Sequence, residues 1–146
     1  MKIKEVMILD LTSVSADTPI KEAVKIMSLQ RMVGLPVVDN DQNVIGIITE
    51  SDIAKACLPG YYKELQNPSF IPDFNQFSQQ AKKIAHFPVK EFMTREVFTV
   101  EEDTSQTEAA NLLFRKRLRI LPVVRGRKMV GILTPSSLCK NVMKED

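Results

Sequence analysis

Gly46-Ile47-Ile48-Thr49-Glu50-Ser51-Asp52 is the stretch of this chain in which residue types and spacing could do chemistry. It sets two hydroxyls, Thr49 and Ser51, and the Asp52 carboxylate where a buried apolar run turns into a helix beginning near Ser51. The free N–H groups and positive end of such a helix attract a phosphate, and hydroxyls can add hydrogen bonds to it. A carboxylate can accept from both hydroxyls of a ribose. The ground therefore suits a nucleotide. Thr49-x-x-Asp52 is equally a capping-box-like helix start of the kind any α/β protein uses, so the local sequence leaves both readings open.

Other chemistries find less support. His86 is the only histidine and sits beside Phe87-Pro88, where packing or surface exposure accounts for it. With no second histidine and no paired cysteines, neither a zinc site nor a hydrolytic triad can be assembled. Cys57 and Cys139 match no disulfide framework and fit a reducing cytosol. Arg115-Lys116-Arg117-Leu118-Arg119 with Arg125, Arg127 and Lys128 is locally basic and could meet polyphosphate, RNA or an acidic partner, although a solvated face explains it too. A net charge of +2 over 146 residues and the lack of a recognition-helix pattern argue against a nucleic-acid reader. The opening residues lead into no long apolar run, so neither a signal peptide nor a membrane span is expected, and the reading is cytoplasmic.

The elements that position Thr49–Asp52 occur twice. Met7 to Val38 aligns without a gap on Met93 to Val124, both ending in Leu-Pro-Val-Val (Leu35–Val38 and Leu121–Val124). After a turn one residue shorter, Gly46-Ile47-Ile48-Thr49 falls on Gly131-Ile132-Leu133-Thr134. Two copies of a supersecondary unit predict a pseudo-symmetric pair rather than a solenoid. Either copy alone would be marginal in size, so the two are expected to share one core. In copy one, Leu11–Val14 reads as a short strand, Thr18-Pro19 as a cap with proline at the first helical position, and Ile20, Ala23, Val24 and Met27 as a buried stripe. Gly34–Val38 and Val44–Ile48 read as strands around the turn Asp39-Asn40-Asp41. Copy two repeats this with a capping-box start, Ser105-Gln106-Thr107-Glu108, buried Ala109, Leu112 and Leu113, and the turn Arg125-Gly126-Arg127. The fold class is α/β (α+β), two β-α-β-β-α repeats packed together.

The division is residues 1–56, a connector at 57–88, and residues 89–146, all in one integrated module. Six of the nine aromatic residues lie in the connector: Tyr61, Tyr62, Phe70, Phe74, Phe77 and Phe87. After Pro72-Asp73, the residues Phe74, Phe77, Ala81 and Ile84 share a helical face and predict a helix docked on the repeats. Extra core is the plain reading of these aromatics, and a lid able to stack on a base is the other.

The Leu-Pro-Val-Val strand followed by Gly-Ile-Ile-Thr-x-Ser-Asp resembles the cystathionine-β-synthase (CBS) domain, here in tandem. The preceding Lys4-Glu5-Val6-Met7 and Val89-Lys90-Glu91-Phe92-Met93-Thr94 resemble the family's entry segment. The resemblance covers both copies and leaves out only the connector. It implies a disc-shaped two-repeat Bateman module that commonly dimerises, senses adenosine-containing ligands such as AMP, ADP, ATP or S-adenosylmethionine, and does no chemistry itself. No cofactor is required, and an adenine nucleotide is the regulatory ligand. By similarity one cleft sets Ile47, Ile48, Thr49, Ser51 and Asp52 against Thr104, Arg119 and Ile120, with Asp52 on the ribose hydroxyls and Arg119 neutralising phosphate. The second, weaker cleft sets Thr134, Ser136 and Ser137 against Thr18, Val33 and Gly34. Ser137 stands where Asp52 stands, so the ribose-holding carboxylate is missing there. Thr134-Pro135 still starts a helix, which implies that the helix start does not need the carboxylate.

The resulting expectation is a non-catalytic, homodimeric nucleotide sensor acting on a regulated protein in trans. The rival expectations are an interaction protein whose cleft binds no nucleotide, and a small nucleotide-acting enzyme with Asp52 as its one candidate base.

Overall fold

Runs of valine, isoleucine and leucine bracketed by turn residues build the centre of each half, and the helices cover them. A computed structural model describes residues 2–58 and 74–143, side chains at 74–76, 141 and 142 excepted. In chain order its helices and strands are α1 (Ile20–Gln30), β1 (Gly34–Val38), β2 (Val44–Thr49), α2 (Glu50–Cys57), α3 (Phe74–Ile84), β3 (Val100–Glu101), α4 (Gln106–Arg115), β4 (Leu121–Arg125), β5 (Lys128–Leu133) and α5 (Pro135–Val142). The two-repeat α+β architecture expected from the sequence is the one observed.

β1 and β2 form an antiparallel hairpin whose register shifts between Val37 and Val38. β4 and β5 do the same, with the shift at the equivalent Val123/Val124. β3 runs parallel to β4. Its counterpart in the first half shrinks to a single parallel bridge from Val14 to Val37, so the expected strand Leu11–Val14 survives only at its last residue. The reason is local: the Asp10 carboxylate accepts from the Thr12 N–H at 2.8 Å and from the Thr12 hydroxyl, which curls the backbone away from a ladder.

The helices also depart from expectation at their starts. Pro19, not Thr18, holds the capping position of α1 and supplies no side-chain cap, while the Thr18 hydroxyl accepts from the Ser15 N–H at 3.0 Å. The buried stripe is Ile20, Ala23 and Met27; Val24 is 40% exposed. In α4, Ser105 accepts from the Glu108 N–H at 3.2 Å, which is one half of the expected capping box, and Leu112 is only half-buried.

The two halves exchange their entry segments. Ile3 and Val6, at the start of the chain, sit in the core of the second half with Val100, Ala109, Leu113, Leu121, Val123, Leu133 and Leu138. Val89 and Met93 sit in the core of the first half with Ile20, Ala23, Met27, Leu35, Val37 and Ile48. Backbone bonds fix each crossing: the Ile3 N–H donates to the Thr104 carbonyl at 2.9 Å, and the Val89 N–H to the Thr18 carbonyl at 2.8 Å. Further along, Ile8 pairs with Ile132 and Thr94 with Ile47. The expected single shared core is thus two cores laced together by exchanged segments. A third cluster of Val38, Ile120, Met129 and Ile132 lies between the hairpins, which also bond directly through the Val44 N–H to the Arg127 carbonyl.

Helix α3 is the helix expected in the connector and packs on α2, burying Ile84 and partly burying Ala81 in the first core, while Pro72 and Asp73, the expected start, lie outside the described residues. Phe77 is 45% exposed, and Phe87 stacks on Phe92 at 6.1 Å rather than covering a cleft. Tyr61, Tyr62 and Phe70 lie outside the described residues.

Two carboxylates are tuned by the fold. Arg125 donates to Glu102 and holds its carboxyl below the ordinary glutamate range against a weaker, opposing desolvation; the Asn43 N–H, with Asp41 and the Asn43 amide, lowers Asp39 against a similar opposition. A depressed folded-state pKa stabilises above the unfolded value and is lost as pH falls through the folded one. Stability in urea is therefore expected to decline as pH drops below the usual carboxylate range, and Arg125→Ala is expected to flatten the Glu102 share of that decline. A pH profile identical in Arg125→Ala and the parent would show that the pair contributes nothing.

Candidate functional site

Strand ends and helix starts from both halves converge on two cavities related by the repeat. The first, about 330 Å³, is bordered by Ile47, Thr49, Glu50 and Ser51 from the first hairpin and α2, by Thr94, Glu96, Val97 and Phe98 from the second entry segment, and by Arg117–Ile120 ahead of β4. The second, about 520 Å³, is its mirror, with Ile132, Thr134, Pro135 and Ser136 facing Ile8, Asp10, Gln30, Arg31, Met32 and Val33. Val33, Arg119 and Ile120 border both. Each has an apolar floor, a hydroxyl-bearing helix start and arginine at the rim. That combination can hold an apolar ring, hydrogen-bond a sugar and neutralise an anion.

Of the residues expected in the first cleft, the fold brings Ile47, Thr49, Ser51, Arg119 and Ile120 to one cavity. Ile48 is not among them. It is fully buried in the first core, because successive side chains of a strand point to opposite faces. Thr104 does not border the cavity either; its carbonyl receives the exchanged entry segment. In the mirror cleft Thr134, Ser136 and Val33 line the wall, whereas Thr18, Gly34 and Ser137 do not. Thr18 repeats the role of Thr104, and Gly34 is tucked between Thr49 and Ile120.

Asp52 stands one step behind the first cavity. Its Oδ2 accepts from the Thr49 N–H and the Thr49 hydroxyl, both at 3.0 Å, while the Thr49 hydroxyl accepts from the Asp52 N–H at 3.2 Å. This is a closed capping box on α2. The hydroxyl of Thr94, which borders the cavity, donates to Asp52 Oδ1 at 3.2 Å. The mirror helix closes the same box without an acid: the Thr134 N–H donates to Ser137 Oγ at 3.0 Å, and the Ser137 N–H to Thr134 Oγ1 at 3.0 Å. A helix start of this kind therefore does not need the carboxylate, as expected. Position 52 is part of the cap, but the cap requires an acceptor and not a charge.

Several bordering residues escape a motif-based reading. Phe98 brings the aromatic ring to the first cavity, with the Lys116 ammonium 5.3 Å from its centroid; Thr12 occupies the equivalent position in the other copy. Arg31 and Arg117 are equivalent in the repeat, border one cavity each, and both adopt the left-handed conformation, with φ of 54° and 53°. A non-glycine residue held there costs of order 1 kcal/mol, and such outliers gather at functional sites. Glu50 projects from the start of α2 and pairs with Arg119 across the first cleft at 3.2 Å.

Two equivalent hairpins with exchanged entry segments and ligand-sized clefts between them define a tandem-repeat α+β architecture. The CBS domain model matches residues 3–59 and 89–144, and the chain belongs to that family as a tandem pair. A CBS domain-containing protein from Dictyostelium discoideum is 30% identical over 144 residues, spanning 97% of this chain and 91% of its own. Inosine-5'-monophosphate dehydrogenase from Methanocaldococcus jannaschii is 31% identical over 140 residues, 95% of this chain, but this chain spans only 23% of that enzyme. Among solved structures, the CBS-pair protein CBSX2 from Arabidopsis thaliana superposes with a TM-score of 0.78 at 23% identity, covering 97% of this chain and 94% of the other. CBSX2 in complex with AMP gives a TM-score of 0.75. Among the described residues no helix is long and apolar enough to cross a membrane, and no group of side chains could hold a metal ion.

Proposed function

We propose that this CBS pair is a non-catalytic regulatory module that binds an adenosine-containing ligand, AMP, ADP or ATP, between its repeats, and that the first cleft is its nucleoside site. The observation that carries this reading is the asymmetry of the clefts. The first has the Asp52 carboxylate behind Thr94 and the Phe98 ring at its wall; the equivalent positions of the other copy hold Ser137 and Thr12, and neither borders the mirror cleft. A ribose that displaces the Thr94 hydroxyl would find Oδ1 of Asp52, a base would lie against Phe98, Ile47 and Ile120, and phosphates would meet Ser51, Arg117 and Arg119. Binding of CBSX2 to AMP on the same fold agrees with this.

Among the described residues neither cavity is bordered by a histidine or cysteine, so a general base for turnover would have to be a carboxylate. The ligand joins side chains of both repeats, so it would bias their relative arrangement only as far as it binds two arrangements differently. The output passes to a regulated protein in trans. The module is a homodimer in this reading, with the exposed Leu29 of α1 and Phe114 of α4 as surface for it, which sedimentation of the purified protein tests.

Calorimetric titration with adenosine, AMP, ADP and ATP tests the function directly. Saturable binding is expected, weakened about three- to tenfold by Phe98→Leu through lost ring stacking. No heat with any of them, from folded protein free of co-purified ligand, would favour an interaction module whose cleft is closed by the Glu50–Arg119 pair.

A further inference from the structure

We propose that Glu50 sets the phosphate preference of the first cleft by holding Arg119, and that the two clefts compete for this one guanidinium. Among the described residues Arg119 is the charged side chain bordering both cavities, and its Nη1 lies 3.2 Å from Glu50 Oε1. The pair is peculiar to one side of the pseudo-symmetric molecule. Where Glu50 opens α2, Pro135 opens α5, whose first turn carries no acid; where Arg119 stands in copy two, Val33 stands in copy one.

The consequence follows from charge. In the first cleft Arg117 and Arg119 face two carboxylates, Glu50 and Glu96, and a phosphate at the start of α2 must take Arg119 away from Glu50. The mirror cleft offers Arg31 and Arg119 against the single carboxylate of Asp10. Each added phosphate thus gains less in the first cleft than it would in the mirror cleft. Moving Arg119 to a phosphate in the mirror cleft leaves Glu50 unpaired, which further disfavours an anion in the first. Both side chains are more than half exposed, so the effect is moderate and screened by salt.

This inference rests on the adenosine reading above, and the experiment separates the two. Calorimetry with adenosine and with ATP is run on the parent protein, Glu50→Gln, Arg119→Gln and the double variant, at low and high KCl. Adenosine binding by the parent tests the reading; the ratio of ATP to adenosine affinity tests the inference. Glu50→Gln is expected to raise that ratio about three- to tenfold at low salt, with the gain fading as KCl shortens the Debye length. In the Arg119→Gln background the same change is expected to add little. An unchanged ratio would overturn the proposal, and so would a gain that persists undiminished without Arg119, because Glu50 would then act by repulsion alone.

Discussion

Gly131→Ala is expected to lower the unfolding free energy by about 1–3 kcal/mol, the range for forcing a methyl into a filled site. An alanine Cβ at 131 would lie 2.8 Å from the Ile8 carbonyl oxygen and 2.8 Å from the Met7 sulfur. The carbonyl has little room to yield. Ile8 exchanges both backbone bonds with Ile132, at 2.8 and 2.9 Å, so moving it would open the crossing of the entry segment. Gly46→Ala is the internal comparison. There the nearest atom is the Met93 sulfur at 2.9 Å, a flexible thioether, with the Thr94 carbonyl oxygen at 3.0 Å, and the loss should be smaller. Urea unfolding followed by circular dichroism measures both. Equal stability of Gly131→Ala and the parent would mean that the first segment is not held against β5 in solution.

Both glycines show how far the sequence could be read. The repeat, both hairpins and the helical run of α3 follow from periodicity and turn residues, since those signals are local. The exchange of entry segments does not follow, because Ile3 meets Thr104 and Val89 meets Thr18 only after the chain has folded back. A trace of it is visible: Gly46 and Gly131 interrupt the apolar runs of β2 and β5 at equivalent positions, which is the mark of a close backbone approach. The site divides in the same way. Thr49, Ser51, Arg119 and Ile120 come together as the resemblance implies, yet placing Ile47 and Ile48 on one wall ignored the two-residue period of a strand. Phe98 and Arg117 lie in irregular backbone, where no period tells which way a side chain points. Arg31 and Arg117 did leave a signal, as arginines at matched positions of the two copies.

Asp52→Ser should then lower adenosine affinity by about ten- to a hundredfold while leaving the fold close to its parent stability. The affinity figure is the worth of hydrogen bonds from two sugar hydroxyls to an ionised acceptor, about 1.5–3 kcal/mol. The stability expectation comes from the molecule itself, because serine already closes the equivalent box at 137 by accepting from the Thr134 N–H at 3.0 Å. Asp52→Ala removes acceptor and charge together and should cost the box's N3 hydrogen bond, about 0.5–1.5 kcal/mol of stability, as well as binding. Ser137→Ala should cost a comparable cap but leave adenosine binding in the first cleft intact. The three variants separate roles that one substitution would confound: a binding loss shared by Asp52→Ser and Asp52→Ala belongs to the carboxylate, and a stability loss shared by the two alanine variants belongs to the caps. Adenosine bound as tightly by Asp52→Ser as by the parent would reduce Asp52 to a helix cap.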